Sequence, residues 1–294
     1  MKKAGLVITM LIICGMLFGC SAKSNTIVVG AKDYTEQFIL GNLLAILIEE
    51  NTNINVTLTT DLASDVIFAA VRTGAVDVYV EYTGTVYGSY LVQSETGSAR
   101  EVYDLTSRMV LERYDLHMLN PLGFNNSYNL AVRFDTANEY GLRTLSDLAE
   151  VSDDFVFGGS IEFLTRNDGF PNMKLLYDMS FLDEKIIDGT RRYTAINNDD
   201  IQVTEAFSTD GHLLAHALVV LEDDKNYFQP YQGVIMVRGE TLENNTELRA
   251  VLEKLSGLIS DDVMRTLNYR VDVHGESPEA VARSFLIENN LISR

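Results

Sequence analysis

The segment Asp77-Val-Tyr-Val-Glu-Tyr-Thr-Gly-Thr85 has the pattern of a short buried strand that ends in a polar turn. Small apolar residues alternate with an acid and two tyrosines up to Tyr82, and Thr83-Gly84-Thr85 then breaks the strand. In an α/β protein, a parallel strand delivers its last side chains to the crevice beyond the carboxyl ends of the strands, where ligands bind. We therefore expect Tyr82 and Thr85 to lie in a ligand site.

Strands and helices alternate before this segment. The patterns predict strands at residues 26–30 and 55–60 and helices at 33–50 and 64–73, and Asp33 with Glu36 is typical of a capping box at the start of the first helix. Such alternation predicts an α/β fold with a mainly parallel sheet and right-handed crossovers.

The alternation repeats from residue 129, which indicates a second α/β lobe. Here the patterns predict strands and helices in turn, with strands at 129–133, 155–158, 192–196 and 213–221, and helices at 145–150, 172–179 and 201–207. A strand at 234–238 and three helices close the chain. With only 4 prolines and no long loop, two lobes joined by two short crossings fit better than independent domains.

The N-terminus has the pattern of an export signal over residues 1–19. Two lysines precede an apolar run over residues 4–18 and a small-residue cleavage site. A spanning helix is the alternative, but it needs about 20 apolar residues. The segment Leu17-Phe18-Gly19-Cys20 also resembles the lipobox of bacterial lipoproteins, which implies that Cys20 carries the lipid, that residues 20–25 form a tether and that the protein is exported and anchored to the outer face of the cell membrane. The other cysteine, Cys14, lies in the signal, so no disulfide is expected.

The formal net charge of −19 makes nucleic acid an unfavourable partner. A negative field favours the approach of a cation, although acidity that only confers solubility explains the same charge. The apolar fraction of 46% is sufficient for real cores.

A search for catalytic or metal-binding motifs finds none. His212 and His216 are four residues apart, but the segment lacks the glutamate of a zinc-protease helix and its pattern predicts a strand. No phosphate-binding glycine loop or nucleophile elbow is present, and we expect no metal and no cofactor. Two alternatives remain: an enzyme on a two-lobed scaffold, with Glu81 and Asp65 as the candidate acid–base pair, and a ligand-binding sensor module for small cations.

Six segments, in this order, resemble the signature segments of substrate-binding proteins for glycine betaine, choline and related osmoprotectants, which serve ABC importers. They are Gly30-Ala-Lys-Asp-Tyr-Thr-Glu-Gln37, Glu81-Tyr-Thr-Gly-Thr85, Gly123-Phe-Asn-Asn-Ser-Tyr128, Glu162-Phe-Leu-Thr-Arg-Asn-Asp-Gly169, Ala206-Phe-Ser-Thr-Asp-Gly211 and Asp224-Lys-Asn-Tyr-Phe-Gln-Pro-Tyr231. The resemblance implies a type II two-lobed periplasmic-binding-protein fold. One lobe would span 26–125 plus 232–294 and the other 126–231, with the ligand in the cleft between them.

The resemblance also implies roles for individual residues. A quaternary ammonium would lie in a box of four aromatic rings, with an oxygen of Asn126 near its methyl groups and a carboxylate, if the ligand has one, held by three further side chains. The rings are Tyr82, Tyr128, Tyr231 and Phe207, and the carboxylate-binding residues are Lys32, Thr85 and Arg166. The protein would act as a monomer, deliver its ligand to the membrane permease and catalyse no reaction. Because cleft residues carry little of a core, we expect Tyr82, Tyr128 and Tyr231 to contribute little to stability.

Asp65 bears on the choice of ligand. It stands at the start of the helix predicted at 64–73, so it is either a helix cap or a carboxylate that faces the cleft. A cleft-facing Asp65 would repel the carboxylate of glycine betaine and accept a hydrogen bond from the hydroxyl of choline. We therefore expect choline to bind more tightly, with a preference for glycine betaine or carnitine as the alternative.

Overall fold

The computed structural model describes residues 26–93, 97–165, 169–187 and 189–293. The expected signal peptide at 1–19, the tether at 20–25 with Cys20, and Arg166 lie outside these residues. Among the described residues, no helix is both long and apolar enough to cross a membrane.

The described strands form two sheets of five. In chain order they are β1 Thr26–Lys32, β2 Asn55–Leu62, β3 Val78–Tyr82, β4 Leu116–Met118, β5 Tyr128–Arg133, β6 Val156–Gly159, β7 Asp183–Ile186, β8 Val203–Phe207, β9 Leu218–Val220 and β10 Gly233–Arg238. The first sheet has the order β2-β1-β3-β10-β4 and the second β7-β6-β8-β5-β9. Only β10 and β5 run against their neighbours, so each sheet is mixed and mainly parallel, as predicted.

Helices flank both sheets. The α-helices are Thr35–Asn51, Ser64–Thr73, Thr83–Thr85, Ala99–Tyr114, Phe134–Tyr140, Leu145–Ala149, Ile161–Thr165, Phe170–Tyr177, Arg191–Asn197, His212–Ala215, Gly239–Asn244, Leu248–Leu252, Asp261–Asp272 and Pro278–Glu288. A π-helical turn spans Val86–Tyr90, and 3₁₀ turns span Ser152–Asp154 and Glu253–Leu255.

Strand β3 lies at the centre of the first sheet and is buried along its whole length. It runs parallel to β1 and antiparallel to β10. One helical turn, Thr83–Thr85, follows it directly. The segment that begins at Asp77 is therefore a buried strand that ends in a turn, as its pattern predicts.

The helix Thr35–Asn51 is buried on most of its surface because the helices Asp261–Asp272 and Pro278–Glu288 cover the side that faces away from the sheet. Its N-cap residue is Tyr34, which makes no side-chain capping bond, so the predicted capping box of Asp33 with Glu36 is wrong. The Glu36 side chain is instead buried inside the protein, with 3% of its surface exposed.

Three predictions in the second lobe have the wrong element type. Residues 192–196 lie in the helix Arg191–Asn197, where Tyr193 and Ile196 are buried at helical spacing. The predicted helix at 201–207 is strand β8, which lies between β6 and β5 and therefore shows no alternation of buried and exposed residues. The predicted strand at 213–221 is the helix His212–Ala215 followed by β9, with the break at Ala217, whose φ is 49°.

Candidate ligand-binding site

A cavity of about 820 Å³ is lined by residues from both sheets. The end of β1 supplies Lys32 and the end of β3 supplies Tyr82, while the start of β5 supplies Tyr128 and the end of β8 supplies Phe207. Every predicted ligand residue that the structure describes lines this cavity, namely Lys32, Asp65, Tyr82, Thr85, Asn126, Tyr128, Phe207 and Tyr231. Arg166 lies outside the described residues.

Two of the aromatic rings are fixed by strand pairing. Tyr128 and Phe207 are register partners in β5 and β8, and their ring centroids lie 4.7 Å apart with 38° between the ring planes. The Tyr128 ring also stacks on Phe163 at 5.1 Å. These contacts hold both rings at the wall of the cavity.

The turn after β3 positions the ring of Tyr231. A Cβ atom on Gly84 would lie 2.8 Å from two carbons of that ring, so only glycine permits this approach. The hydroxyl of Thr83 donates to the carbonyl oxygen of Pro230 at 2.9 Å and accepts from the backbone N–H of Gln232 at 3.0 Å. The Thr-Gly part of the motif therefore ties the end of β3 to the chain around Tyr231.

The sequence did not predict three further tyrosines that line the cavity, namely Tyr34, Tyr90 and Tyr193. Tyr34 lies within the signature segment Gly30–Gln37 and could have been found from that motif. Burial raises the pKa of the Tyr34 hydroxyl well above its usual range, and the charge of Glu36 adds to the effect. Tyr193 was hidden because its segment was predicted to be a strand.

Lys32 and Glu81 form a buried ion pair beneath the cavity wall. Their side chains are 3% and 0% exposed. Glu81 also accepts from the backbone N–H of Tyr82 at 2.8 Å and from the Tyr79 hydroxyl at 3.2 Å, and the Lys32 ammonium lies 5.1 Å from the centroid of the Tyr82 ring. The charge of Lys32 is thus already neutralised within the protein.

Glu36 is the centre of a buried hydrogen-bond network. Its Oε1 accepts from the Tyr82 hydroxyl at 2.7 Å and from Nδ2 of Asn126 at 2.9 Å. Its Oε2 accepts from the Thr209 hydroxyl at 2.6 Å and from Nδ2 of Asn268 at 3.1 Å. Burial raises the pKa of Glu36, and the four hydrogen bonds oppose that shift. This carboxyl group therefore connects the first sheet, the crossing near residue 126, and the segment after β8.

Another part of the cavity wall is also acidic. Asp272 accepts from the Thr35 hydroxyl at 2.6 Å, and burial raises the pKa of Asp272. Asp210 accepts from Arg192 at 3.3 Å and from the Tyr193 hydroxyl. With Lys32 paired to Glu81 and Arg192 to Asp210, carboxylates outnumber unpaired cations among the described residues of this wall, which suits a cationic ligand.

The two histidines do not form a metal site with acidic or cysteine partners. His212 begins the helix His212–Ala215, and its ring stacks on Tyr193 at 4.9 Å and lies 5.8 Å from the ring of His216. Among the described residues, no group of three or more histidine, cysteine, aspartate or glutamate side chains could hold a metal ion.

Two α/β lobes with a ligand cavity at the strand ends define a solute-binding protein. The chain belongs to the family described as the substrate binding domain of ABC-type glycine betaine transport systems, whose model matches residues 25–288. Proteins of this family are substrate-binding components of transporters and not enzymes, which excludes the enzymatic alternative with Glu81 and Asp65. They work outside the cytoplasm with an ABC permease.

Curated relatives and a solved structure agree with this assignment. The chain is 33% identical over 275 residues to the carnitine transport binding protein OpuCC of Listeria monocytogenes, covering 92% of this chain and 89% of that protein. It is 34% identical over 266 residues to the ergothioneine transport permease/ergothioneine binding protein EgtU of Helicobacter pylori (strain G27), covering 90% of this chain but only 48% of that longer protein. A crystal structure described as a glycine betaine/carnitine/choline ABC transporter superposes with a TM-score of 0.87 at 31% identity, over 91% of this chain and 100% of that one. The predicted two-lobed fold is thus confirmed.

Proposed function

We propose that this protein captures a small quaternary ammonium compound between its lobes in an aromatic box and delivers it to a membrane permease, with choline as the favoured ligand. The observation that carries the proposal is the convergence of Tyr82, Tyr128, Phe207 and Tyr231 on one cavity whose wall has an excess of carboxylates. The lobes in this proposal span 26–125 plus 232–294 and 126–231, and hinged closure buries the ligand.

The chemistry of the ligand explains why rings are needed. A quaternary ammonium has no N–H group, so hydrogen bonds cannot select it, whereas aromatic faces attract its diffuse charge and its methyl groups. Each desolvated ring contributes up to about 2 kcal/mol. A micromolar complex requires about 8 kcal/mol, so four rings supply a large part of it, although such terms are not additive.

Two features support choline over glycine betaine. Lys32, which would hold a ligand carboxylate, is already paired with Glu81. Asp65 lines the cavity and is exposed, while Ala63 is the N-cap residue of the helix Ser64–Thr73, so Asp65 is not the cap of that helix. A ligand carboxylate would meet one occupied cation, Lys32, and one anion, Asp65, for which the described residues show no ion-pair partner.

A larger ligand of the same class is the second candidate. A cavity of about 820 Å³ is of the size that drug-sized ligands occupy. The relatives named for carnitine and ergothioneine point in the same direction, because both names denote transport of larger molecules. Arg192 lines the cavity, but it is engaged by Asp210 and could bind a ligand carboxylate only by sharing it.

Calorimetric titration of the purified protein against choline, glycine betaine, carnitine, ergothioneine and proline betaine tests the proposal. We expect saturable binding of choline and weaker binding of glycine betaine. Tight binding of carnitine or ergothioneine with weak binding of choline would favour the second candidate. The absence of binding to all five compounds would overturn the proposed function.

The proposed location is the outer face of the cell membrane, with a lipid on Cys20 after removal of residues 1–19. A single acyl chain gives only marginal membrane binding, so the anchor would need more than one. We further propose that the protein acts as a monomer, because described residues of one chain line the cavity from both sheets.

A further inference from the structure

Glu36 differs from the other carboxylates of the cavity wall because it is almost completely buried and has four donors. The donors are the hydroxyls of Tyr82 and Thr209 and the side-chain amides of Asn126 and Asn268. A buried carboxylate with several donors keeps its negative charge inside the protein at a high desolvation cost. In Glu36, burial raises the pKa while the four hydrogen bonds favour the charged form, so the donors support a negative charge beside the ligand cavity.

A second observation concerns the side-chain amides of Asn126 and Asn268. Each donates its Nδ2 to Glu36, and the Oδ1 atoms of both are buried without a hydrogen-bond partner among the described residues. Asn268 as a whole is 5% exposed, and both asparagines line the cavity. Because a carboxylate can only accept, it fixes the orientation of both amides. Their donors are used, so the buried amide oxygens add negative potential beside the cavity.

Tyr82 transmits the same polarity to the aromatic box. Its hydroxyl donates to Glu36 at 2.7 Å, and its ring is one of the four in the proposed box. A phenol that donates to a carboxylate has a more electron-rich ring, and a cation is attracted to the negative face of such a ring. The carboxylate, the two amide oxygens and the ring thus all present negative charge to the cavity.

We propose that Glu36 is the negative centre that makes this cavity select a cation, and that it acts through its own charge and by orienting Asn126, Asn268 and Tyr82. The inference rests on the proposed function and names the residue that sets its charge selectivity. Glu36 is a positioning residue, since its four donors occupy its oxygens and the ligand does not need to touch it.

The test compares choline with its neutral carbon isostere, 3,3-dimethylbutan-1-ol, which has the same shape and hydroxyl but no charge. For the wild-type protein we expect choline to bind at least about tenfold more tightly, which corresponds to about 1.4 kcal/mol. In Glu36→Gln the affinity for choline should fall at least about tenfold, while that for the isostere changes by less than about twofold.

Glu36→Gln is close in shape to the wild type and can be accommodated. The new amide places one N–H₂ group among four donors, and a half-turn of the amide of Asn126 or Asn268 supplies the acceptor that it needs. Glu36→Asp retains the charge and should keep most of the preference for choline. Glu112→Gln, which removes an exposed carboxylate on the helix Ala99–Tyr114 outside the cavity, is the matched control and should behave as wild type.

Thr209→Val provides a second test that does not need Glu36→Gln to fold. Loss of the hydrogen bond from Thr209 raises the pKa of Glu36 further, because that bond favours the charged form. The preference for choline over the isostere develops as pH rises and Glu36 loses its proton. In Thr209→Val the midpoint of this change should move to higher pH. Among the described residues, the other titratable and charged groups near the cavity are Tyr34, Tyr82, Tyr90, Tyr128, Tyr193, Tyr231, Lys32, Glu81, Asp65, Arg192, Asp210, His212, Arg265 and Asp272. Thr209 donates to none of them.

The outcomes separate the two proposals. If the wild type binds neither compound, the inference fails, and if it also binds none of the four other compounds titrated above, the proposed function fails with it. If the wild type prefers choline but Glu36→Gln weakens both compounds equally, Glu36 has only a structural role and the inference is overturned. An unchanged midpoint in Thr209→Val would overturn it as well, since the titrating group would then be a different carboxylate.

Discussion

Lys32 and Glu81 form an ion pair that is almost completely shielded from solvent, at the end of β1 and within β3 of the same sheet. The resemblance to osmoprotectant-binding proteins implies that Lys32 holds the carboxylate of a ligand. In this protein the side-chain carboxylate of Glu81 already pairs with Lys32. The same carboxylate also accepts from the Tyr79 hydroxyl and from the backbone N–H of Tyr82. A ligand carboxylate would have to compete with an internal one.

Glu81→Gln should therefore lower the free energy of unfolding and raise the affinity for betaines. Breaking a buried pair leaves the remaining charge uncompensated and costs about 3–5 kcal/mol, measurable by chemical denaturation. A ligand carboxylate can then replace the missing partner of Lys32. We expect glycine betaine to raise the melting temperature of Glu81→Gln more than choline does, which is the reverse of the order in the wild type.

The double variant Lys32→Met with Glu81→Gln is the control for this prediction. It removes both charges, so it should recover part of the lost stability and should not gain affinity for glycine betaine. If Glu81→Gln and the double variant respond to glycine betaine in the same way, Lys32 does not contact the ligand carboxylate.

How far the sequence predicts this site depends on where the relevant residues lie along the chain. Tyr82, Thr85 and Tyr128 were predicted because each stands at the end or start of a strand, within a motif that can be read locally. Glu36 was assigned to a capping box because Asp33 precedes it by three residues, which is the spacing of that motif. The helix in fact begins after Tyr34. The donors to Glu36 stand at positions 82, 126, 209 and 268, and no local pattern connects them.

The fold was predictable to a similar degree. Strands that are followed by long helices, such as β1 and β2, were found with nearly correct bounds because each shows one clear period. The region from 191 to 221 was not, because its short elements carry polar residues in buried positions. Thr204 in β8 is fully buried and satisfied by the carbonyl oxygen of Gly158 at 2.9 Å, a contact that only the assembled sheet provides.

Replacing the ring of Tyr231 tests the aromatic box with little effect on the core. Tyr231 is half-buried and packs against the edge of a core cluster. Tyr231→Ala should weaken the binding of choline at least about tenfold, because one desolvated ring contributes up to about 2 kcal/mol. Tyr231→Phe keeps the π-face and should remain within about threefold of the wild type in the same calorimetric titration.

The expectation that Tyr82, Tyr128 and Tyr231 contribute little to stability is wrong for Tyr82. This residue is 4% exposed and belongs to the main core cluster of the first lobe. Tyr82→Ala should cost about 3–5 kcal/mol of unfolding free energy, so a loss of affinity in that variant would not identify a ligand contact. Phe207→Tyr should be tolerated, with binding close to wild type. A large loss of affinity in Phe207→Tyr together with none in Tyr231→Ala would contradict the box.

Cys20→Ser tests the proposed anchor in the full-length protein. Serine has no thiol to carry the lipid, so the variant should leave the membrane fraction or accumulate with residues 1–19 still attached. Fractionation followed by immunoblotting distinguishes these outcomes from wild-type behaviour. A variant that migrates and fractionates like the wild type would show that Cys20 is not the site of lipidation.

Asp65→Thr tests the choice between choline and glycine betaine. Asp65 lines the cavity at the start of the helix Ser64–Thr73, close to Ser64, whose carbonyl oxygen accepts from the Tyr90 hydroxyl at 2.6 Å. Because Asp65 is exposed, solvent screens its charge, and its effect on a ligand carboxylate is about 1 kcal/mol or less rather than the several kcal/mol of a buried pair.

We expect wild-type protein to bind choline more tightly than glycine betaine, and Asp65→Thr to reduce the ratio of the two affinities by about threefold to fivefold. Asp65→Asn is the control for shape and should reduce the ratio equally, since it also removes the charge. The effect should shrink at high salt, as screening predicts. Calorimetric titration of both ligands at two salt concentrations tests this prediction. A wild type that prefers glycine betaine, or an affinity ratio that neither substitution changes, would rule out Asp65 as the residue that sets the preference for choline.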